Sequence, residues 1–157
     1  MAEGPSADHG AQLYQRCAAC HLPNGAGVPG AFPALAGRVN IAAANEAGRD
    51  YLVMVVAAGV MGEIDVDGSR LRGVMPAQAG MSDADIAAVL NYAATLKGQA
   101  AKAFTAEEVA AIRARHQGAN PTSVHAIRSG VFDMQTAAPV AAPVAAPASD
   151  KPSGAEK

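Results

Sequence analysis

Cys17-Ala18-Ala19-Cys20-His21 is the stretch on which the reading of this chain turns. Two thiols three positions apart can add to the two vinyl groups of one haem, and the adjacent His21 then lies under the iron as a proximal ligand. Two other chemistries use a CxxC pair. A zinc site needs two further ligands, but the chain has no other cysteine, and His9, His116 and His125 are scattered without ligand spacing. A thiol redox pair of the thioredoxin kind follows a strand in a βαβ setting, whereas this motif ends a helical pattern in a chain with almost no strand signal. Covalent haem attachment through Cys17 and Cys20 is therefore the expectation. Cysteines this close cannot staple distant segments, so a disulfide framework is excluded.

Outward from the motif, the chain alternates helical patterns with Gly/Pro-rich connections. His9 to Ala18 reads as a helix with Leu13, Tyr14 and Cys17 on one side. Residues 22–40 read as loop, broken by Pro23, Gly25, Gly27, Pro29, Gly30, Pro33 and Gly37. Gly25 and Gly27 lack the Lys-Ser/Thr of a phosphate loop, and a close pass over a haem edge is the better explanation. Glu46 to Val60 is a second helix, apolar on nearly every side, with Asn45 as its N-cap. Ile64 to Leu71 suggests a small hairpin turning at Asp67-Gly68. Asp83 to Leu96 is the clearest helix, with Ser82 and Asp85 as a capping box and Ile86, Val89, Leu90, Ala93 and Leu96 in one stripe.

The chain is 157 residues long, 50% hydrophobic and 17% charged, with a formal net charge of −2. That suits one compact domain with extensions and excludes a large multidomain enzyme. The absence of a basic block argues against a nucleic-acid or anionic-membrane surface. The longest apolar stretch, Tyr51 to Gly62, is about half of what a membrane span needs. Alanine supplies 39 residues while aromatics reach only 4%, so a core of small side chains needs a large apolar body from outside the polypeptide. A haem is such a body.

Four segments are expected. Residues 1–7 form a flexible N-terminus and residues 8–98 the haem domain. Residues 99–135 make a helical appendage, with Thr105 and Glu108 as a capping box, Phe104 stapled onto Val109, a helix to about His116, and a short one from Pro121 through Arg128. Its apolar stripe is too small to fold alone, so it must dock on its own chain or on a partner subunit. Residues 136–157, of which 12 of 22 are Ala or Pro, read as a disordered tail.

From Asp8 to Lys97 the chain resembles the class I cytochromes c, in particular the bacterial periplasmic monohaem domains found as electron-transfer subunits of dehydrogenases. The resemblance rests on GAQLYQRCAACH, NGAGVPGAFPALAG, YLVMVVAAGVMG, the VDG turn, GVMP and SDADIAAVLNYAATLK. It implies an all-α fold of three or four helices packed around one covalent haem c, with a short hairpin. It also implies assembly outside the bacterial cytoplasm, hence a periplasmic protein whose precursor has a secretion signal; MAEGPSADHG has no such pattern, so Met1 is expected to begin a processed or re-engineered form.

The sixth ligand must be soft or an imidazole, and Met75 leads. Gly73-Val74-Met75-Pro76 reads as irregular backbone, with Pro76 forcing Met75 into an extended conformation; the resemblance makes the same methionine the ligand. Met61 is the runner-up, Met54 reads as core, and Met81 as a staple onto Ile86. By resemblance, the Pro33 carbonyl accepts the His21 ring N–H. Arg38 and Tyr51 are candidates for the haem propionates, since burying those charges requires donors. An iron with both axial positions filled leaves one-electron transfer as its chemistry, at a potential on the positive side for haem proteins. The expected function is to accept electrons from a periplasmic dehydrogenase and pass them to a downstream cytochrome or oxidase. The competing reading is a haem enzyme or a cytochrome that binds gas or peroxide through a dissociable sixth ligand.

Overall fold

Ser82 starts the best-capped helix of the molecule. Its hydroxyl accepts from the Asp85 N–H at 3.1 Å, and the Asp85 carboxylate accepts from the Ser82 N–H at 3.0 Å. The reciprocal pair satisfies two donors that the first turn leaves without helical partners. In the computed structural model, which describes residues 7–66, 68–98 and 102–137, this helix is α4 (Asp83–Ala94). Before it come α1 (Ala7–His21), α2 (Arg38–Ala43), α3 (Glu46–Ala58), β1 (Val60–Val66) and β2 (Ser69–Met75). After it come α5 (Ala106–Arg115) and α6 (Pro121–Ala137). The all-α expectation with one short hairpin holds.

α1 lies across α4. A Cβ on Gly10 would fall 2.5 Å from the Ala88 carbonyl oxygen, so only glycine permits this approach of the two backbones. The Tyr14 and Tyr92 rings meet beside it, with centroids 5.3 Å apart at a tilt of 52°. The Tyr14 hydroxyl donates to the Leu22 carbonyl, and burial, with smaller contributions from Cys17 and Tyr92, pushes its pKa up to about 12. Asn45 caps α3 through the Gly48 N–H as expected, and α3 ends at Gly59, whose φ is 82°.

Several boundaries differ from the sequence reading. The supposed loop of residues 22–40 runs into α2, six residues too few to show a periodic pattern. The hairpin is longer than Ile64–Leu71, pairing Val60 with Met75 at its open end and Val66 with Ser69 at its turn. Gly68 takes a φ of 84° in that turn, while Asp67 lies outside the described residues. Met75 is therefore the last residue of a regular strand and not part of an irregular loop. Gly25 and Gly27 are also explained otherwise: their Cβ positions would meet Leu96 Cδ1 at 2.7 Å and the Phe32 carbonyl oxygen at 2.5 Å, so the chain itself occupies the space.

α5 and α6 dock on the rest of the same chain. α5 packs against α3 and α4, and α6 against α3 and β1, burying Phe104, Val109, Ile112, Val124 and Val131. Asn91 grips the entry to α5, giving and accepting one hydrogen bond with the backbone of Phe104. Thr105 caps α5, but Glu108 does not complete the box. Its carboxylate turns to the guanidinium of Arg49, at 2.6 and 2.7 Å, because a buried cation is a stronger partner than an exposed amide. α6 extends well past Arg128, to Ala137, and so through the first residues assigned to the tail. Residues 1–6, 99–101 and 138–157 lie outside the described residues, and with them most of the expected flexible N-terminus and tail.

Candidate functional site: the haem cavity

The CxxCH motif occupies the C-terminal end of α1, which places Cys17, Cys20 and His21 on its last turns. His21 is only 6% exposed. Its Nδ1 lies 2.7 Å from the Pro33 carbonyl oxygen, which fixes Nδ1 as the protonated nitrogen and leaves Nε2 as the lone-pair donor. Burial holds this imidazole below the ordinary histidine range, with the Pro33 bond acting in the opposite direction. A neutral imidazole with one oriented lone pair is what a metal requires. Burial likewise raises the Cys17 thiol, against the pull of Arg16, whereas Cys20 is exposed.

A cavity of about 470 Å³ opens beside His21, between α1, the following loop, α2, α3, α6 and the hairpin. One face of the hairpin lines it: Val60, Gly62 and Ile64 on β1, and Leu71, Gly73 and Met75 on β2. The glycine pair Gly62–Gly73 leaves that wall flat in its middle. Met75 reaches the cavity because ladder pairing with Val60 sets its side and height. Backbone packing against Gly59 reinforces this, since a Cβ there would come within 2.6 Å of the Met75 carbonyl oxygen. Pro76 follows, with no N–H to continue the ladder.

The other methionines stand elsewhere. Met61 is 45% exposed and pairs with Val74 on the opposite face of the hairpin. Met54 and Met81 are buried in the apolar core. Pro33, Arg38 and Tyr51 all line the cavity with His21 and Met75. Arg128 joins them, a residue that sequence reasoning assigned to no site: its Nη1 donates to the Tyr51 hydroxyl at 3.1 Å and its Nη2 to the Asp65 carbonyl at 3.0 Å. No local motif marks it, because its position depends on how α6 docks. Among the described residues, the lining holds the arginines Arg38, Arg72 and Arg128 and no aspartate or glutamate.

These features fit a flat apolar macrocycle with two carboxylates. The walls are aliphatic, an imidazole and a thioether share one chamber, and fixed positive charge stands ready for anionic groups. Cys17, Cys20, His21 and Met75 are the residues that could hold such a group and its iron. Among the described residues no cluster of three or more His, Cys, Asp or Glu side chains offers another metal site.

The fold and this cavity define a haem-binding electron-transfer protein. Residues 7–97 match the family model for cytochrome c. Cytochrome c-552 of Thermus thermophilus is 50% identical over 111 residues, covering 68% of this chain and 85% of that protein. A second cytochrome c-552, from another strain of the same species, is 50% identical over 111 residues as well, with 75% of its length covered. The chain belongs to the cytochrome c family: it binds covalently attached haem c and transfers electrons through it. Among the described residues, no helix is long and apolar enough to cross a membrane.

Proposed function

We propose that this protein accepts electrons from a periplasmic dehydrogenase and passes them to a downstream cytochrome or oxidase, through a haem held by Cys17 and Cys20 and ligated by His21 and Met75. The observation that carries the ligand assignment is that His21 and Met75 line one apolar cavity, with the His21 tautomer set by Pro33. The haem supplies a one-electron couple at its iron. The protein orients the imidazole, keeps the thioether at fixed height, and excludes water with Val60, Ile64 and Leu71. Arg38 and Tyr51 receive the propionates. A thioether in an apolar chamber favours the ferrous state, which raises the potential and suits an acceptor of electrons from an enzyme. A sixth ligand held by a strand leaves little room for an exogenous one, which weighs against gas or peroxide chemistry. Residues 8–98 form the haem domain in this reading, with 99–135 as an appendage docked on it.

Met75→Ala tests the assignment. It should lower the midpoint potential, open the iron to water, and abolish the weak red ferric band that sulfur ligation produces. Met61→Ala should leave that band in place. The opposite pair of results would move the ligand to Met61. Fast stoichiometric binding of carbon monoxide to the ferrous wild type would instead favour the gas-binding reading.

A further inference from the structure

One end of the cavity is assembled from three helices that are remote in sequence. Arg38 begins α2, Tyr51 lies in the first half of α3, and Arg128 lies on α6; the three helices touch one another pairwise. All three side chains line the cavity. Arg128 is held in a defined orientation by its bonds to the Tyr51 hydroxyl and the Asp65 carbonyl, with its guanidinium carbon 5.5 Å from the centroid of the Tyr51 ring. Tyr51 is 5% exposed, so this cation is anchored against an apolar wall and not simply extended into water. A planar guanidinium is suited to a carboxylate, with parallel donors and a permanent charge. The cavity lining contributes no carboxylate of its own among the described residues, whereas a bound haem brings two.

We infer that Arg128 is a propionate-binding residue, so that α6, which lies beyond the family-matching residues 7–97, completes the haem pocket and tunes its potential. This rests on the reading that the propionate end of the haem faces Arg38 and Tyr51. A positive charge beside a propionate offsets that group's stabilisation of ferric iron, so Arg128 holds the potential up. Its partners on β1 and α3 keep the charge in place when α6 is docked. Haem environment and appendage are then one unit.

The test is redox titration of the holoprotein at fixed pH, with melting curves on the same samples. Arg128→Gln should lower the ferrous-to-ferric ratio at a fixed solution potential by roughly fivefold, and Arg128→Lys should recover most of that loss. Val124→Ala, which loosens α6 at a fully buried position without touching a charge, should lower the melting temperature and leave the potential in place. Arg38→Gln reports on the underlying reading. If Arg38→Gln shifts the potential and Arg128→Gln does not, the inference about Arg128 fails and the placement of the propionate end stands. If neither shifts it, that placement fails and the inference with it. A shift in Val124→Ala as large as in Arg128→Gln would make the effect a loosening of α6 and overturn the assignment. Should Arg128→Gln yield no folded holoprotein, Arg128→Lys decides by redox difference infrared spectroscopy. A displaced propionate carboxylate stretch supports the contact, and an unmoved one overturns it.

Discussion

At the scale of single residues, the chemistry of this protein depends on how few atoms stand between backbones. Gly10 is the sharpest case outside the haem site, because the α1–α4 crossing has no space for a methyl group there. Gly10→Ala should cost about 1–3 kcal/mol through forced separation of the helices, measured as a lower melting temperature with the haem spectrum retained. An unchanged melting temperature would mean that the crossing relaxes freely. Residue-level identity was the most legible part of the sequence for the attachment motif. CxxCH is contiguous, so its spacing survives any tertiary arrangement. Pro33 was reachable only by resemblance, since nothing local says that a carbonyl twelve residues on will meet His21. Met75 was singled out by a motif, but the expected physical reason was wrong: a β ladder holds it, and its pairing partner Val60 lies too far back in the chain to leave a local trace.

At the scale of elements, one buried cation joins the haem domain to the appendage. Arg49 on α3 is 6% exposed and donates to both Glu108 carboxylate oxygens and to the carbonyls of Ala43, Lys102 and Ala103. Its guanidinium also stacks 3.9 Å from the centroid of the Phe104 ring. Truncation to Arg49→Ala would leave these acceptors without their donor, at a cost of about 3–5 kcal/mol, read by chemical denaturation. The same pair gives a pH dependence. The Arg49 guanidinium holds the Glu108 carboxyl below the ordinary glutamate range, against desolvation. A folded-state pKa lower than the unfolded one means that Glu108 stabilises fully above the ordinary range, and that this contribution fades as pH falls through the lowered value. Asp85 acts in the same direction, through His9 first and Ser82 second. Stability should therefore decline below about pH 4.5, and Glu108→Gln should flatten part of that decline; an identical acid limb in the variant would exclude Glu108 as a source. The helices were legible because caps and periodicity are local. Glu108 was misassigned for the complementary reason: its capping-box spacing was correct, but a partner 59 residues away outcompeted the local one.

At the scale of the whole molecule, the notable feature is that the final wall of the haem cavity is carried by the last described helix. The contacts that seat α6 span long stretches of chain, with Arg128 bonded to Tyr51 and Asp65 at separations of 77 and 63 residues. Such closures come late in folding, because chain entropy is lost before they yield any contact energy. α1 and α4 do not depend on them, since their crossing is sealed by Gly10, Tyr14 and Tyr92. The cavity therefore has a door in time as well as in space. Transient release of α6 can expose its Arg128 side to solvent while the His21 side remains closed, which makes the lifetime of the docked helix a limit on how long the haem interior stays dry. Backbone amides of α6 should exchange with solvent deuterium sooner than those of α1 and α4, and stabilising α6 alone should slow the exchange of hairpin amides facing it. Equal protection of all three helices would show that the molecule opens only as a whole. Protection against water at an iron centre would then be governed by a rate, set at the end of the chain farthest in sequence from the cysteines that bind it.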